Sequence, residues 1–491
     1  MLEDSTVCYS AYAARDARFD GIFFIGVTST GIYCRPICTA RTPKAANCRF
    51  FDSAAAAEKA NFRPCLRCRP ELAPGNAPVD DARRIAALVA RRIEEGMADG
   101  DAGRAGLERI AAKFGWSSRQ IRRMVQKELG VSPIELVQTR RLLLAKQLLT
   151  ETSLPVARVA YASGFASLRR FNDAFNKRYG LAPSRFRRAA DDVAAAPRTA
   201  ASLALRLAYR APFDWRAMLD FLGARAIAGV ETIDGDAYAR TVALGGRTGW
   251  IRVSNRPGEH ALAVEASESL VAVLPALLGR LRQLFDLDAR PDVIAEHLAV
   301  DARLRPLVAD SPGLRVPGAF DGFELALRAV LGQQITVKAA TTLASRVMAA
   351  FGDAIETARG GLTHLALTAD RIAGARVDDV ASLGIVRARA ATIVALAREV
   401  ADGRLVLEPG ADPDATIAQL VALPGIGAWT ANYIALRALR WTDAFPKEDV
   451  VLRKQLGGVS AKDADTISQA WRPWRSYATL HLWRSAARTR R

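Results

Sequence analysis

Four cysteines in two short pairs constrain the start of this 491-residue chain more than any other feature. Cys34 and Cys38 are separated by three residues, and Cys65 and Cys68, after an interval of 26 residues, are separated by two. Two such pairs joined by a loop can place four thiolates around one tetrahedral zinc ion. A module of about 70 residues has too small a core to be stable without such a crosslink. We therefore predict one Zn²⁺ that contributes directly to folding.

The other cysteines and the composition indicate a reducing compartment. Cys8 and Cys48 fall outside the pattern and are predicted to be small buried or half-buried side chains, and no cysteine follows Cys68. Clustering of this kind favours metal binding over a disulfide framework. The sequence contains no long uninterrupted apolar run, and its start, MLEDSTVCYS, does not have the pattern of an export signal. We therefore expect a cytoplasmic protein without a membrane partner.

Positive charge is concentrated in the middle of the chain. Residues 76–201 carry 23 Lys+Arg against 13 Asp+Glu, a net +10 of the +18 for the whole sequence. A surface of this charge density favours a polyanionic partner such as DNA, although charge alone is equally compatible with a role in solubility. The length predicts three or four domains.

Arginines accompany both cysteine pairs. The polar residues close to the sulfurs in sequence are Thr30, Arg35, Arg41, Arg63, Arg67 and Arg69. Guanidinium groups beside a zinc thiolate can bind phosphate while the metal keeps the sulfur deprotonated and nucleophilic. The alternative interpretation is a closed, purely structural zinc site.

The pattern across residues 28–68 resembles the N-terminal domain of the Ada family of methylation sensors. The stretches TSTGIYCRPIC and FRPCLRC carry the resemblance. It implies that Cys34 accepts a methyl group from an Sp methylphosphotriester in DNA, with Cys38, Cys65 and Cys68 as its co-ligands on zinc. The candidates for contacts with the DNA backbone are then Thr30, Arg35, Arg41, Arg63 and Arg67.

Two helix-turn-helix patterns follow in the basic segment. Residues 107–127 read as two helices, the second capped by Ser117 or Ser118, and residues 154–178 repeat the pattern. The tandem resembles the AraC-type DNA-binding domain, in which each second helix enters a major groove. The resemblance implies promoter DNA and RNA polymerase as partners. It makes these residues candidates for DNA contacts, with a solvated helix face as the alternative: Arg119, Gln120, Arg123, Ser167, Arg169 and Arg170.

The C-terminal half begins after an Ala/Pro-rich linker at residues 191–201. Alternating apolar and polar stretches then predict a small antiparallel sheet, and from about residue 270 the pattern is helical. The sequence LPGIG at residues 423–427 predicts a tight hairpin between two helices. Backbone N–H groups at Gly425 and Gly427 can bind a DNA phosphate there, and an ordinary helix–helix turn is the alternative.

An aspartate follows this hairpin at a characteristic distance. Asp449 lies 22 residues beyond Gly427, and this pairing resembles the helix-hairpin-helix superfamily of DNA glycosylases. The stretches FDGFELALRAVLGQQIT and RPWRSYATLHLWRS extend the resemblance to alkylpurine glycosylases of the 3-methyladenine type, over residues 203–488. It implies that Asp449 is the catalytic carboxylate and that the pocket for the flipped base is lined by Trp429, Tyr433 and Trp483. Gln334 stands where an apolar residue that fills the gap left by the flipped base is expected.

The chemistry of this substrate class is consistent with those residue types. An N-alkylated purine is positively charged, so one ionised carboxylate that stabilises the developing oxocarbenium ion is sufficient. The base must leave the stack and can then stack on electron-rich aromatic rings. Trp429 occupies the position at which glycosylases that also cleave the backbone carry a lysine, which predicts a monofunctional enzyme. We expect neither an iron–sulfur cluster nor an organic cofactor.

The predicted fold class is multidomain α+β. It comprises a small four-Cys zinc domain at 1–75, an all-α tandem helix-turn-helix domain at 78–190, a small antiparallel β-sheet subdomain at 202–290 and an all-α helix-hairpin-helix glycosylase domain at 291–491. The predicted function is a methylation-damage sensor, transcriptional activator and DNA repair enzyme. One alternative is a non-enzymatic regulator with structural zinc and a ligand-sensing C-terminal half. Another is a repair enzyme whose helix-turn-helix units add only non-specific DNA affinity.

Overall fold

The computed structural model describes residues 5–73, 117–191 and 203–489, with Val89, Ile93 and Glu108 between the first two ranges. The contacts divide the chain into two compact units. The first comprises Met1–Ala211, Arg256–Gly279 and Leu287–Ala289, and the second comprises Pro212–Asn255, Arg280–Asp286 and Arg290–Arg491. Within the described part of the chain, no helix has both the length and the apolar character needed to cross a membrane.

The zinc module of the first unit is a four-stranded sheet with two helices. Its elements are α1 (Ser5–Ala13), β1 (Phe24–Val27), β2 (Ile32–Cys34), β3 (Cys48–Phe51), α2 (Ala54–Lys59) and β4 (Arg63–Pro64), and the strand order is β3-β1-β2-β4. β2 pairs with β4 in parallel, with Tyr33 opposite Pro64, and the Cys65 amide donates to the Tyr33 carbonyl at 3.0 Å. Because Cys34 ends β2 and Cys65 follows β4, this pairing brings the two cysteine pairs together.

Between residues 117 and 191 the described chain forms five helices: α3 (Ser118–Leu129), α4 (Pro133–Glu151), α5 (Val156–Ala162), α6 (Leu168–Tyr179) and α7 (Pro183–Asp191). Ser117 and Ser132 each begin a helix with a reciprocal capping box, with Gln120 and Glu135 as their partners. The predicted cap at Ser117 or Ser118 is therefore at Ser117. The second helix-turn-helix unit is confirmed as α5 and α6. The first helix of the helix-turn-helix unit that was predicted at residues 107–127 lies outside the described residues.

Five strands precede the helical part of the C-terminal half: β5 (Leu203–Ala208), β6 (Glu231–Asp234), β7 (Ala237–Leu244), β8 (Arg247–Arg256) and β9 (Ala261–Ala266). In the first unit β5 pairs antiparallel with β9, with Leu203 opposite Ala266. In the second unit β6, β7 and β8 form an antiparallel meander. The predicted antiparallel strands are confirmed, and β6 was not predicted because its sequence, ETID, is short and mostly polar.

The remaining chain is helical, which was predicted from about residue 270 onward. Its α-helices are α8 (Trp215–Gly223), α9 (Leu274–Leu284), α10 (Pro291–Leu298), α11 (Arg305–Asp310), α12 (Gly322–Leu331), α13 (Val337–Phe351), α14 (Ala369–Ala373), α15 (Val377–Ala381), α16 (Arg387–Ala401), α17 (Pro413–Ala422), α18 (Ala428–Arg437), α19 (Val450–Gln455), α20 (Ala461–Ser468) and α21 (Arg475–Thr489). Short 3₁₀ helices span Ala17–Phe19, Ala45–Asn47, Pro70–Leu72, Pro257–Glu259, Glu268–Val273 and Gln469–Trp471.

Helix α12 lies in the core of the second unit and contacts α13, α16 and α18. Eight of its ten residues are buried, which is typical of a core helix. The one buried carboxylate on this helix, Glu324, pairs with Arg240 at 2.7 Å and also with Arg328. Burial opposes ionisation of Glu324, but the two guanidinium groups outweigh it and lower its pKa to about 2. The helix ends at the loop that carries Gln334.

A buried histidine on α21 predicts acid sensitivity. Burial lowers the pKa of His481 to about 4, against 6.5 in an unfolded chain. As pH falls from 6.5 towards 4, the unfolded chain takes up a proton that the folded chain does not. In the wild type, this proton uptake lowers the free energy of unfolding as the pH falls. We expect the His481→Gln variant to show a shallower fall across this range, by up to about 1.4 kcal/mol per pH unit, measured by urea titration at each pH. His260→Gln, at an exposed position, is the control and should keep the wild-type slope.

Candidate metal centre and candidate active site

The four paired cysteines form a compact cluster in the zinc module. The Sγ atoms of Cys34, Cys38, Cys65 and Cys68 all lie within 4.8 Å of one another. Four sulfurs at about 2.3 Å from a tetrahedral zinc would be about 3.8 Å apart, so the cluster has the donor set and the size for one zinc ion. Three of the four cysteines are buried, which suits a site that is closed to solvent on most sides.

Backbone amides contact the sulfurs unequally. The Arg35 amide donates to Cys68 Sγ at 3.3 Å, and the amides of Ala40 and Cys68 are directed at Cys38 and Cys65. Among the described contacts, none brings a backbone N–H to Cys34. A hydrogen bond to a thiolate withdraws electron density from the sulfur, so these donors reduce the electron density on Cys38, Cys65 and Cys68.

The arginines of the zinc module occupy two different environments. Arg41, Arg63 and Arg67 are exposed, as is Thr30. Arg35 differs from the sequence-based expectation of a DNA contact, because its guanidinium is buried and ion-paired with Asp20. It holds the cysteine loop in place, with Nη1 donating to the Cys68 carbonyl at 3.2 Å.

The helix-turn-helix candidates also divide by environment. Arg119, Arg123, Arg169 and Arg170 are exposed near the starts of α3 and α6. The other two candidates act as helix caps. Gln120 Oε1 accepts from the Ser117 amide at 2.8 Å, and Ser167 Oγ accepts from the Arg170 amide at 3.2 Å.

The predicted hairpin in the second unit joins α17 to α18. Gly425 has φ +88°, and a Cβ at this position would lie 2.2 Å from Thr392 Oγ1. The same hydroxyl donates to the Pro424 carbonyl at 2.7 Å, so the hairpin is fixed against α16. Gly427 caps α18 and is exposed, which leaves the turn accessible to a phosphate.

A second loop is attached directly to this hairpin. Gln333 Nε2 donates to the Gly425 carbonyl at 2.8 Å and to Thr430 Oγ1 at 3.0 Å, while Arg389 Nη2 donates to the Gln333 carbonyl at 2.7 Å. Next to it, Gln334 is exposed and has φ +58°. A left-handed conformation at a glutamine is uncommon and is maintained by the contacts of its neighbour.

The candidate catalytic carboxylate lies beside two of the predicted pocket aromatics. Trp429 Nε1 donates to Asp449 Oδ2 at 2.8 Å, and Trp483 Nε1 donates to Oδ1 at 3.1 Å. Oδ1 also accepts from the Leu452 amide at 2.7 Å, so Asp449 caps the helix that starts at Val450. Asp449 is 9% exposed. Three donors on a nearly buried carboxylate fix its orientation.

The three predicted pocket aromatics are brought together. The Trp429 and Tyr433 rings are stacked, with their centroids 5.4 Å apart and their planes at 7° to each other. The centroid of the Trp483 ring lies 6.1 Å from that of Tyr433. Burial would raise the pKa of the Tyr433 hydroxyl, but the charges of Arg437 and Arg225 outweigh it and lower the pKa. Arg437 Nη1 donates to this hydroxyl at 2.9 Å.

Two arginines of this pocket were missed by the sequence reasoning. Arg437 is four residues after Tyr433 on α18, a spacing that places both on one helix face and that could have identified it. Arg225 lies over the Phe221 ring, with its guanidinium carbon 3.8 Å from the ring centroid, and about 200 residues of sequence separate it from Tyr433. No local pattern indicates such a contact.

Comparison with known proteins identifies the family of the chain. Four family models match in chain order: the metal binding domain of Ada at residues 7–71, a helix-turn-helix domain at 110–189, the AlkA N-terminal domain at 204–321 and the HhH-GPD superfamily of base excision DNA repair proteins at 327–475. A protein of Mycobacterium tuberculosis, named "Probable bifunctional transcriptional activator/DNA repair enzyme AlkA", is 40% identical over 488 residues, which cover 98% of this chain and 97% of that protein. The chain belongs to this family.

Other relatives match one part of the chain each. DNA-3-methyladenine glycosylase 2 of Escherichia coli is 34% identical over 56% of this chain and 95% of its own length. The "Bifunctional transcriptional activator/DNA repair enzyme AdaA" of Bacillus subtilis is 33% identical over 36% of this chain and 81% of its own length. The structure of a 3-methyladenine DNA glycosylase from Archaeoglobus fulgidus shares the fold, with a TM-score of 0.50 and 21% identity over 57% of this chain and 98% of that one. The predicted family resemblances and the predicted fold class are confirmed.

Proposed function

We propose that the chain is a methylation-damage sensor, a transcriptional activator and a DNA glycosylase for alkylated purines. The observation that carries the glycosylase is the Asp449 carboxylate, oriented by two indole N–H groups beside a cluster of three aromatic rings. Relatives named for glycosylase and activator functions support the two halves of the proposal.

In the proposed reaction, a flipped alkylpurine stacks against the faces of Trp429, Tyr433 and Trp483. The base is cationic, so these electron-rich rings favour it over an undamaged purine. The C1′–N bond breaks, and its electron pair goes to the departing base, which leaves neutral. Ionised Asp449 stabilises the oxocarbenium ion that remains. Water adds its oxygen to C1′ and releases a proton to solvent, giving a base-free site.

The two loops that are attached to each other are proposed to hold the DNA. Amides at Gly425 and Gly427 bind a backbone phosphate near the lesion. Gln334 occupies the gap left by the flipped base as a polar substitute for the expected apolar residue. Because Gln333 connects the two loops, phosphate binding and gap filling are held in one fixed geometry.

Release of a free base from DNA treated with a methylating agent tests the glycosylase. We expect free 3-methyladenine from methylated duplex and none from untreated duplex, detected by chromatography. The non-enzymatic regulator alternative requires no release from either DNA. A protein that binds promoter DNA but leaves the methylated bases in place would refute the glycosylase proposal.

The glycosylase is proposed to be monofunctional. A backbone-cleaving enzyme of this superfamily needs a lysine amine that forms a covalent intermediate with C1′, and Trp429 occupies that position. We expect base-free DNA with an intact backbone as the product, measured on a denaturing gel before and after alkali. Borohydride trapping of a covalent protein–DNA adduct would contradict this prediction.

Cys34 is proposed to accept a methyl group from a DNA methylphosphotriester. An S–CH₃ bond forms, the CH₃–O bond breaks, and the electron pair remains on the phosphate, which leaves as an ordinary phosphodiester anion. Zinc, when bound, keeps the four sulfurs deprotonated. Cys34 is the favoured nucleophile because the other three sulfurs face backbone N–H donors. The exposed Thr30, Arg41, Arg63 and Arg67 are proposed to bind the flanking phosphates.

The helix-turn-helix units are proposed to bind promoter DNA and to bring RNA polymerase to it. The exposed Arg119, Arg123, Arg169 and Arg170 are the proposed base and phosphate contacts. Gln120 and Ser167 cap their helices and position those arginines. Footprinting on promoter DNA distinguishes this proposal from non-specific affinity, because only sequence-specific binding protects a defined site.

A further inference from the structure

Strand β5 of the first unit is attached to the zinc module by a buried arginine. Arg210 follows this strand and is 2% exposed. Its Nε donates to the Asp20 carbonyl at 2.9 Å, and its Nη1 donates to the Asp288 carbonyl at 2.8 Å. The Asp20 side chain accepts from Arg35 Nε at 2.8 Å. Arg35 contacts Cys68 through both its amide and its guanidinium, so buried polar contacts connect a zinc ligand to β5.

A second connection starts from the other cysteine loop. Lys146 on α4 is 1% exposed, and its Nζ donates to the Cys65 carbonyl at 3.1 Å. The same ammonium group is ion-paired with Glu71, whose carboxylate also accepts from Arg69 Nε at 3.0 Å. The peptide group of one zinc ligand is therefore fixed by a cation on a helix of the DNA-binding domain.

This second connection continues to β5. Arg69 pairs with Glu151 at 3.1 Å, and Glu151 accepts from Arg206 through the backbone amide at 3.2 Å and through Nε at 2.9 Å. Gln147 Nε2 donates to the Arg206 carbonyl at 2.9 Å. Arg206 lies within β5, so this strand is held at both Arg206 and Arg210.

Buried charges make these connections dependent on the shape of the cysteine loops. A buried ion pair is strongly destabilised when one partner is displaced, because an uncompensated charge remains. The cysteine loops of so small a module depend on the metal for their conformation. Release of the metal therefore displaces the Cys65 and Cys68 backbone groups and removes partners of Lys146 and Arg35.

We propose that β5 and its partner β9 form a docking surface for the zinc module, and that metal occupancy of the four-cysteine site sets the local stability of this strand pair. Apart from Leu203, both strands lie within residues 204–321, which match the AlkA N-terminal domain. Damage sensing and the start of the glycosylase region thereby share one cooperative element. The proposal requires the zinc site but neither methyl transfer to Cys34 nor alkylpurine release, so its outcome is independent of both proposed activities.

Amide hydrogen exchange on the full-length protein tests the proposal. Zinc is removed with 1,10-phenanthroline, and its release is measured with a colorimetric zinc indicator. We expect exchange in peptides that cover β5 and β9 to accelerate at least about tenfold after zinc release, while the β6–β7 hairpin of the second unit keeps its rate. Unchanged exchange in β5 and β9 after full zinc release would overturn the proposal.

Variants of Arg206 and Arg210 distinguish loss of the contacts between β5 and the zinc module from general unfolding of the protein. In the Arg206→Ala/Arg210→Ala protein we expect β5 to exchange fast even with zinc bound, with less than about twofold further acceleration on zinc removal. Arg210→Lys should be intermediate, because it retains a cation with fewer directed donors. Arg216→Ala removes an arginine whose side chain is 77% exposed and should behave as wild type. A tenfold response to zinc removal in the double variant would contradict the docking role.

Discussion

Replacement of Asp449 with asparagine is expected to lower the rate of alkylpurine release by at least about 100-fold, the scale for loss of one electrostatic stabiliser. Asparagine retains the shape of the side chain and is as good a helix cap as aspartate. It lacks the negative charge that faces the oxocarbenium ion. The rate is to be measured in single turnover with excess protein over methylated duplex, and binding of the same duplex, measured by fluorescence anisotropy, should be unchanged.

A second capping aspartate provides the matched control. Asp412 caps α17, with Oδ1 accepting from the Ala415 amide at 2.8 Å, and it is exposed. Asp412→Asn is expected to release base within about twofold of the wild-type rate, because it changes a cap without changing the pocket. Near-normal release by Asp449→Asn would remove this carboxylate from the mechanism. Equal losses in both variants would attribute the effect to helix capping.

The sequence predicted the parts of both sites that depend on short stretches of chain. The cysteine spacing identified the metal cluster, because two ligands separated by two or three residues are close in space in any fold. The hairpin was predicted for the same reason, and the carboxylate after it was implied by the family resemblance. Trp429 and Tyr433 are one helical turn apart, so their contact also follows from local geometry.

Contacts between distant stretches could not be predicted in this way. Arg35 was expected at a DNA-facing surface, yet Asp20, fifteen residues earlier, holds its guanidinium in the interior. Arg225 lies beside the pocket through a packing arrangement that no periodicity indicates. A single sequence shows which residue types are present but not which charges pair across the fold.

The domain boundaries show the same limit. The composition change at residues 191–201 predicted that the chain divides there into separate bodies. In the structure, β5 and β9 belong by their contacts to the same compact unit as the zinc module. Long-range polar contacts join β5 to this unit, among them the half-buried pair of Glu151 with Arg206 and the buried contact of Arg210 with the Asp20 carbonyl. The domain boundaries given in the sequence analysis therefore stay predictions, which divide the sequence into regions and do not describe which regions pack together.

Methylation of Cys34 is expected to raise the affinity of the protein for promoter DNA. Four thiolates on one Zn²⁺ carry a formal charge of about −2, and conversion of one thiolate to a thioether leaves about −1. Because the site lies among exposed arginines, removal of one negative charge reduces repulsion of the DNA backbone. We expect at least about tenfold tighter binding at low salt, and convergence of the two affinities as salt is raised.

The measurement is promoter affinity of unmodified and methylated protein across a salt series, with mass mapping of the modified residue. Cys48→Ser is the matched control, because Cys48 is a half-buried cysteine outside the metal cluster and its loss should leave methyl transfer intact. Cys34→Ser should accept no methyl group and show no change in affinity after exposure to methylated DNA. A methyl group on Cys38, Cys65 or Cys68, or equal affinities at low salt, would exclude the charge change at Cys34 as the signal. The cluster would then keep only its structural role, since four thiolates that hold zinc need not include a nucleophile.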